Sequence, residues 1–140
     1  MPKIIDSELY RKELLNKSFD LLAEKGYANV TTRQLAKELG ISTGAMYHYF
    51  PSKKALFEQL VEEMGRQDVV AFRQRVVGGK TLKERIKLLG RFIVENETYF
   101  VKQTAIWTDF CMNSDMNEVS SNAVFKRVDD WYREAIAETL

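Results

Sequence analysis

Cysteine and histidine occur once each in these 140 residues, and those two scarcities remove much site chemistry at the outset. Cys111 has no partner for an intrachain disulfide and cannot supply a Cys-based zinc site, which points to a reducing compartment. His48 has no second histidine and no neighbouring carboxylate at ligand spacing, so neither a metal nor another cofactor is expected. A Gly-rich phosphate loop, a G-x-S-x-G turn and a His/carboxylate cluster are all missing, so an enzyme finds little support. No apolar run approaches membrane-spanning length, and the opening MPKIIDSELYRK lacks the apolar core of a signal peptide. A cytoplasmic protein with no membrane partner is the expectation. Charge of one sign is also scarce, at a net +1. Residues 1–60 hold nine Lys+Arg against seven Asp+Glu, and residues 61–140 hold twelve against thirteen. Any contact with a polyanion must therefore come from a local patch.

Strand signals are poor, and apolar residues recur at helical spacing along the whole chain. The spacing of Leu15, Phe19 and Leu22 predicts a first helix from about Ser7 to Lys25, stopped by Gly26. In TTRQLAKELG, Thr31 and Gln34 form a capping box that opens a short second helix, ended by Gly40. Ser42 caps a third, with Ile41 and Met46 placed as a hydrophobic staple, and Pro51 breaks it. Ser52 caps a long fourth helix striped by Leu56, Phe57, Leu60, Val61 and Met64, then Val69, Phe72 and Val76, and Gly78-Gly79 stops it. Thr81 to Glu84 is another capping box, opening a helix striped by Leu82, Ile86, Leu89 and Ile93. A sixth helical segment is expected over roughly Ala105 to Met112, the polar NSDMNEVSSN reads as a loop, and Val124 to Ile136 marks a seventh helix. The fold class is all-α.

Only Gly40-Ile41-Ser42 joins helices two and three. So short a turn between short helices suggests a helix-turn-helix. Leu35, Leu39, Ile41 and Met46 fall where the pair must bury a shared face, and Ala36 is small where they approach. Thr43 and Tyr47 are four apart, as are Gly44 and His48, so these four share the face opposite Met46. Such a face suits a DNA major groove. Helix N-terminal amides attract phosphate, Thr43 can reach base edges, Gly44 permits close approach, and Tyr47 can meet a phosphate or a thymine methyl. Lys53 is placed to clamp a second phosphate, and Arg33 to reach a guanine or a phosphate. Phe50 reads as core, and Tyr49 is divided between packing and phosphate contact.

From about Leu14 to Leu60 the sequence resembles the tetracycline-repressor (TetR) family of bacterial transcription regulators. The resemblance includes LLAEKGYANVTTRQLAKELGISTGAMYHYFPSKKALF, whose many fixed spacings track the family pattern. It implies DNA contacts at Thr32, Arg33, Thr43, Gly44, Tyr47, His48, Tyr49 and Lys53. Tyr49 departs from the pattern, many members having histidine there. The resemblance also implies a helical ligand-binding domain and a homodimer built mainly by two later helices. The chain stops where those two would begin, so the expected organisation is a helix-turn-helix domain over 1–52, a connecting helix over 53–79 and a truncated ligand-binding domain over 80–140.

The second half is rich in rings. Taken singly, Phe92, Tyr99, Trp107, Phe110, Cys111, Phe125 and Trp131 read first as core; together they can line an apolar pocket. Asp109 reads as a ligand-orienting carboxylate or as an exposed charge. The expectation is a regulator, a repressor that leaves its double-stranded operator when a small apolar or aromatic effector binds. The alternative is a DNA-bound structural or partner-recruiting protein without an effector.

Overall fold

Asp6 begins the first helix by accepting from the backbone amides of Glu8 and Leu9, and this cap is also where the described structure starts. The computed structural model describes residues 6–140; Met1 to Ile5, on which part of the signal-peptide reading rests, lie outside it. Eight helices follow in order: α1 (Ser7–Lys25), α2 (Thr32–Leu39), α3 (Thr43–Tyr49), α4 (Lys53–Val76), α5 (Leu82–Glu95), α6 (Glu97–Met112), α7 (Met116–Ser121) and α8 (Ala123–Thr139). No strand occurs among the described residues, and no helix there is long and apolar enough to cross a membrane.

Local chemistry sets most of these boundaries. The Thr31/Gln34 and Thr81/Glu84 capping boxes both form, and the Ser42 and Ser52 hydroxyls accept from the amides of Ala45 and Ala55. Each such cap contributes about 1 kcal/mol by satisfying an orphan amide. Gly26 and Gly40 take φ values of 85° and 72°, a region where a side chain would be strained, and so end α1 and α2. Two expectations fail at the boundaries. The sixth helix starts at Glu97, not near Ala105, because a single residue, Asn96, turns the chain after α5. NSDMNEVSSN is not all loop, since Asp115 caps the short α7 within it.

The principal core joins α1 (Leu14, Leu15, Phe19, Leu22), α2 (Leu35, Ala36, Leu39), Met46 of α3, Phe50, and α4 (Leu56, Phe57, Leu60) to Ile106 and Phe110 of α6. Burying one such side chain stabilises by about 1.5–3 kcal/mol. A smaller cluster lies farther along α4, where Val69, Phe72 and Val76 meet Ala135 of α8. With 24 residues, α4 is about 36 Å long and connects the two clusters.

Along its middle α4 packs on α8. A Cβ built on Gly65 would sit 2.6 Å from Cγ1 of Val128, so this glycine allows the helices to touch. α4 runs through it as one continuous helix. The stripe assigned to α5 is a further correction. Leu82, Ile86 and Ile93 are 54%, 53% and 48% exposed, and no residue of α5 is fully buried. The helix turns Leu88, Leu89 and Phe92 inward instead. Arg85 explains the rotation. Its guanidinium reaches under the helix to donate to the carbonyls of Gly79 and Thr139 at 3.1 and 2.9 Å, fixing position 85 on the inner side.

Candidate nucleic-acid interface

Helix α3 has one internal anchor: Met46 is fully buried, while Thr43, Gly44 and His48 are exposed and Tyr47 keeps 49% of its surface. The helix is short, but its ends are fixed by the Ser42 cap and by the buried ring of Phe50. Gly44 has no packing reason to be glycine. A Cβ there would meet nothing nearer than the Ser42 hydroxyl at 4.0 Å. Gly44 lies in the first turn of α3, and the space it leaves is exposed, where another molecule can approach.

The other residues singled out divide into two groups. Arg33 is exposed and Thr32 half-buried on the first turn of α2, beside this face. Tyr49 is turned inward, its ring edge-on to Tyr10 with centroids 5.5 Å apart, while its carbonyl accepts from Gln59 at 3.3 Å. Lys53 also faces inward. Its ammonium donates to the carbonyls of Tyr27 and Val30 at 2.9 and 3.1 Å and lies 4.3 Å from the centre of the Tyr27 ring. Burial lowers the Lys53 pKa, opposed by the charge of Asp109. Two of its three N–H groups thus fasten the α1–α2 loop. Asp109 has a similar structural task. Its carboxylate accepts from the Ala28 amide at 3.2 Å and so ties α6 to the same loop.

A cavity of about 340 Å³ lies between α4, α6 and α8. Among the seven residues proposed for a pocket, Trp107 and Phe125 line it. The rest do not converge there. Phe110 is buried against Phe57, with ring centroids 3.9 Å apart, and Cys111 packs beside that core with its thiol pKa raised by burial. Tyr99 stacks on Phe19, while Phe92 and Trp131 pack against the distal cluster. Val61, Met64, Val128, Gln103 and Tyr132 complete much of the wall, and sequence reasoning had not placed them there.

Behind that wall is a carboxylate that the reading also passed over. Asp68 is buried on α4 and accepts from the Tyr99 hydroxyl at 2.8 Å, the Gln103 amide at 2.7 Å and the Tyr132 hydroxyl at 2.5 Å. Burial, with Asp68 alongside, raises both tyrosine pKa values far above the ordinary range, so both phenols remain donors. One signal was available in the sequence. Asp68 lies four residues after Met64 and four before Phe72, on the apolar stripe of its helix.

The family model for bacterial regulatory proteins of the tetR family matches residues 14–60, the segment that contains this exposed face. The match identifies residues 14–60 with the TetR family. The chain is 28% identical over 131 residues to the nucleoid occlusion factor SlmA of Aliivibrio fischeri (strain MJ11), covering 91% of this chain and 67% of that protein. It is 32% identical over 125 residues to the HTH-type transcriptional regulator BetI of Brucella abortus (strain 2308), covering 84% of this chain and 60% of that protein. The chain therefore spans about two thirds of the length of these relatives. Its fold is similar to that of the ketosteroid transcriptional regulator KstR2 of Mycobacterium tuberculosis, with a TM-score of 0.67 at 24% identity, over 94% of this chain and 63% of that one.

Proposed function

We propose that this chain is a TetR-family, sequence-specific DNA-binding repressor that works in the cytoplasm as a homodimer and is released from its operator by a small effector. The outward face of α3 carries this reading. Thr43, Gly44, Tyr47 and His48 are exposed on a helix held from behind by Met46. Thr43 and Tyr47 read base edges, His48 meets a base or a phosphate, and the open side of Gly44 admits the backbone of the duplex. Arg33 and Thr32 extend the contact from α2. Lys53 holds the loop behind the reading helix and offers its remaining N–H to a phosphate, while Tyr49 mainly sets the seat of α3.

The effector site in this reading is the cavity between α4, α6 and α8. Because α4 starts at the reading head and forms part of the cavity wall, a ligand that prefers one α4 position shifts the spacing of two heads on a palindrome. Ligand and DNA then weaken each other by the same factor.

The test is an operator selected from a random duplex library and titrated with wild type and Tyr47→Ala. The variant is expected to lose about 1–3 kcal/mol of specific binding and little non-specific binding. Equal operator affinity in a folded Tyr47→Ala would remove this residue from the interface. The likeness to SlmA, a nucleoid occlusion factor, favours a second reading: a DNA-bound protein that recruits a partner and needs no effector. A compound that binds in the cavity without altering operator affinity would favour that second reading.

A further inference from the structure

The charges around the cavity are one-sided. Among its lining residues there is no lysine, arginine or histidine, and the one ionisable carboxylate there, Asp129, is paired with Arg133 at 2.7 Å. The nearby guanidiniums of Arg66 and Arg127 are occupied by Glu62 and Glu63. Asp68 is different, because its three partners from Tyr99, Gln103 and Tyr132 are all neutral donors. Gln103 and Tyr132 are also part of the cavity wall, so a ligand lies one side chain from a buried negative charge. Another part of the wall is aromatic, with Trp107 edge-on to Phe125 at 5.1 Å and stacked on Phe57 at 6.1 Å.

A buried carboxylate gains more from a cation than from neutral donors and repels a second anion placed nearby. Aromatic walls take up an aryl group by offset stacking and edge-to-face contact. We propose that the cavity selects an aryl-alkyl ammonium and rejects the corresponding carboxylate, the ring resting among Trp107, Phe57 and Phe125 and the ammonium replacing Gln103 as a donor to Asp68. The inference rests on the cavity being the effector site and names the chemistry of its ligand. It also supplies a coupling step. Asp68 belongs to α4 and Gln103 to α6, so exchanging that partner releases a tie between the two helices.

Three probes sharing one tail decide it by calorimetry: 4-phenylbutylammonium, 4-phenylbutanol and 5-phenylpentanoate. The ammonium is expected to bind about tenfold or more tighter than the carboxylate, with the alcohol between them. Asp68→Asn should shrink that ratio to about threefold or less, and Gln103→Met, which removes the competing donor, should tighten the ammonium alone. The Gln103 variant keeps the test decisive if Asp68→Asn fails to fold. No ammonium binding, a carboxylate bound as tightly, or a preference unchanged in either folded variant would overturn the inference. Operator titration separates this from the broader reading. An ammonium bound with the expected preference but leaving operator affinity unchanged would support the ligand chemistry and remove effector release. A carboxylate that binds as tightly and releases operator would do the reverse.

Discussion

The two hydrophobic clusters divide the molecule unequally. The principal one takes buried side chains from α1, α2, α3, α4, α6, α7 and the start of α8, whereas the distal one has Val69, Phe72, Val76 and Ala135. The head is held by interlocked apolar side chains, whose energy falls steeply with small displacements. The distal half depends more on a shared carboxylate, a close helix crossing and the hydrogen bonds of Arg85. Hydrogen bonds can change partners at little net cost when an equivalent donor is available. An apolar, interlocked head and a distal half tied by hydrogen bonds therefore occur on one continuous helix, α4.

Substitutions can break that comparison or sharpen it. Phe57→Ala should be the most damaging. Its ring is fully buried where the head meets α6 and α8, and its loss is expected to cost about 3–5 kcal/mol in chemical denaturation. A cost near 1 kcal/mol would mean that the junction can collapse and that the head is less rigid than its packing implies. The next test makes one change at two glycines. Gly65→Ala drives a methyl into Val128 and should destabilise by about 1–3 kcal/mol, whereas Gly44→Ala should stabilise by up to about 1 kcal/mol and weaken DNA binding. A Gly44→Ala variant with unchanged operator affinity would show that nothing approaches that side of α3. The smallest effect should come from Ile86→Ser on the open face of α5, within about 0.5 kcal/mol. A loss of 2 kcal/mol or more would show that this face is covered in solution.

The same division governs what could be read without a structure. Residues 7–60 announce themselves through local signals: the Thr31/Gln34 capping box, Gly26 and Gly40 where φ must be positive, and the Ser42 and Ser52 caps. Those signals depend on neighbours three or four residues apart, so one sequence suffices. The distal half turns on pairs far apart in the chain. Asp68 finds its partners 31, 35 and 64 residues away, and Val128 determines why position 65 lacks a side chain. Periodicity located α5 but misplaced its inner face, since the decisive contacts of Arg85 go to Gly79 and Thr139, outside that helix. Lys53 has a second task that its position did not announce, since its ammonium is seated on two carbonyls of the α1–α2 loop.

That loop, fastened by Lys53 from α4 and by Asp109 from α6, has a consequence for timing. The amide proton of Ala28 is donated to a side chain of α6 and not to a helical carbonyl. It can therefore be freed when α6 leaves the head, with every helix still wound. Its rate of exchange with deuterated solvent reports how often this exposed bond to α6 opens, without global unfolding. An effector that acts through α6 should quicken this exchange while amides in the middle of α1 keep their pace.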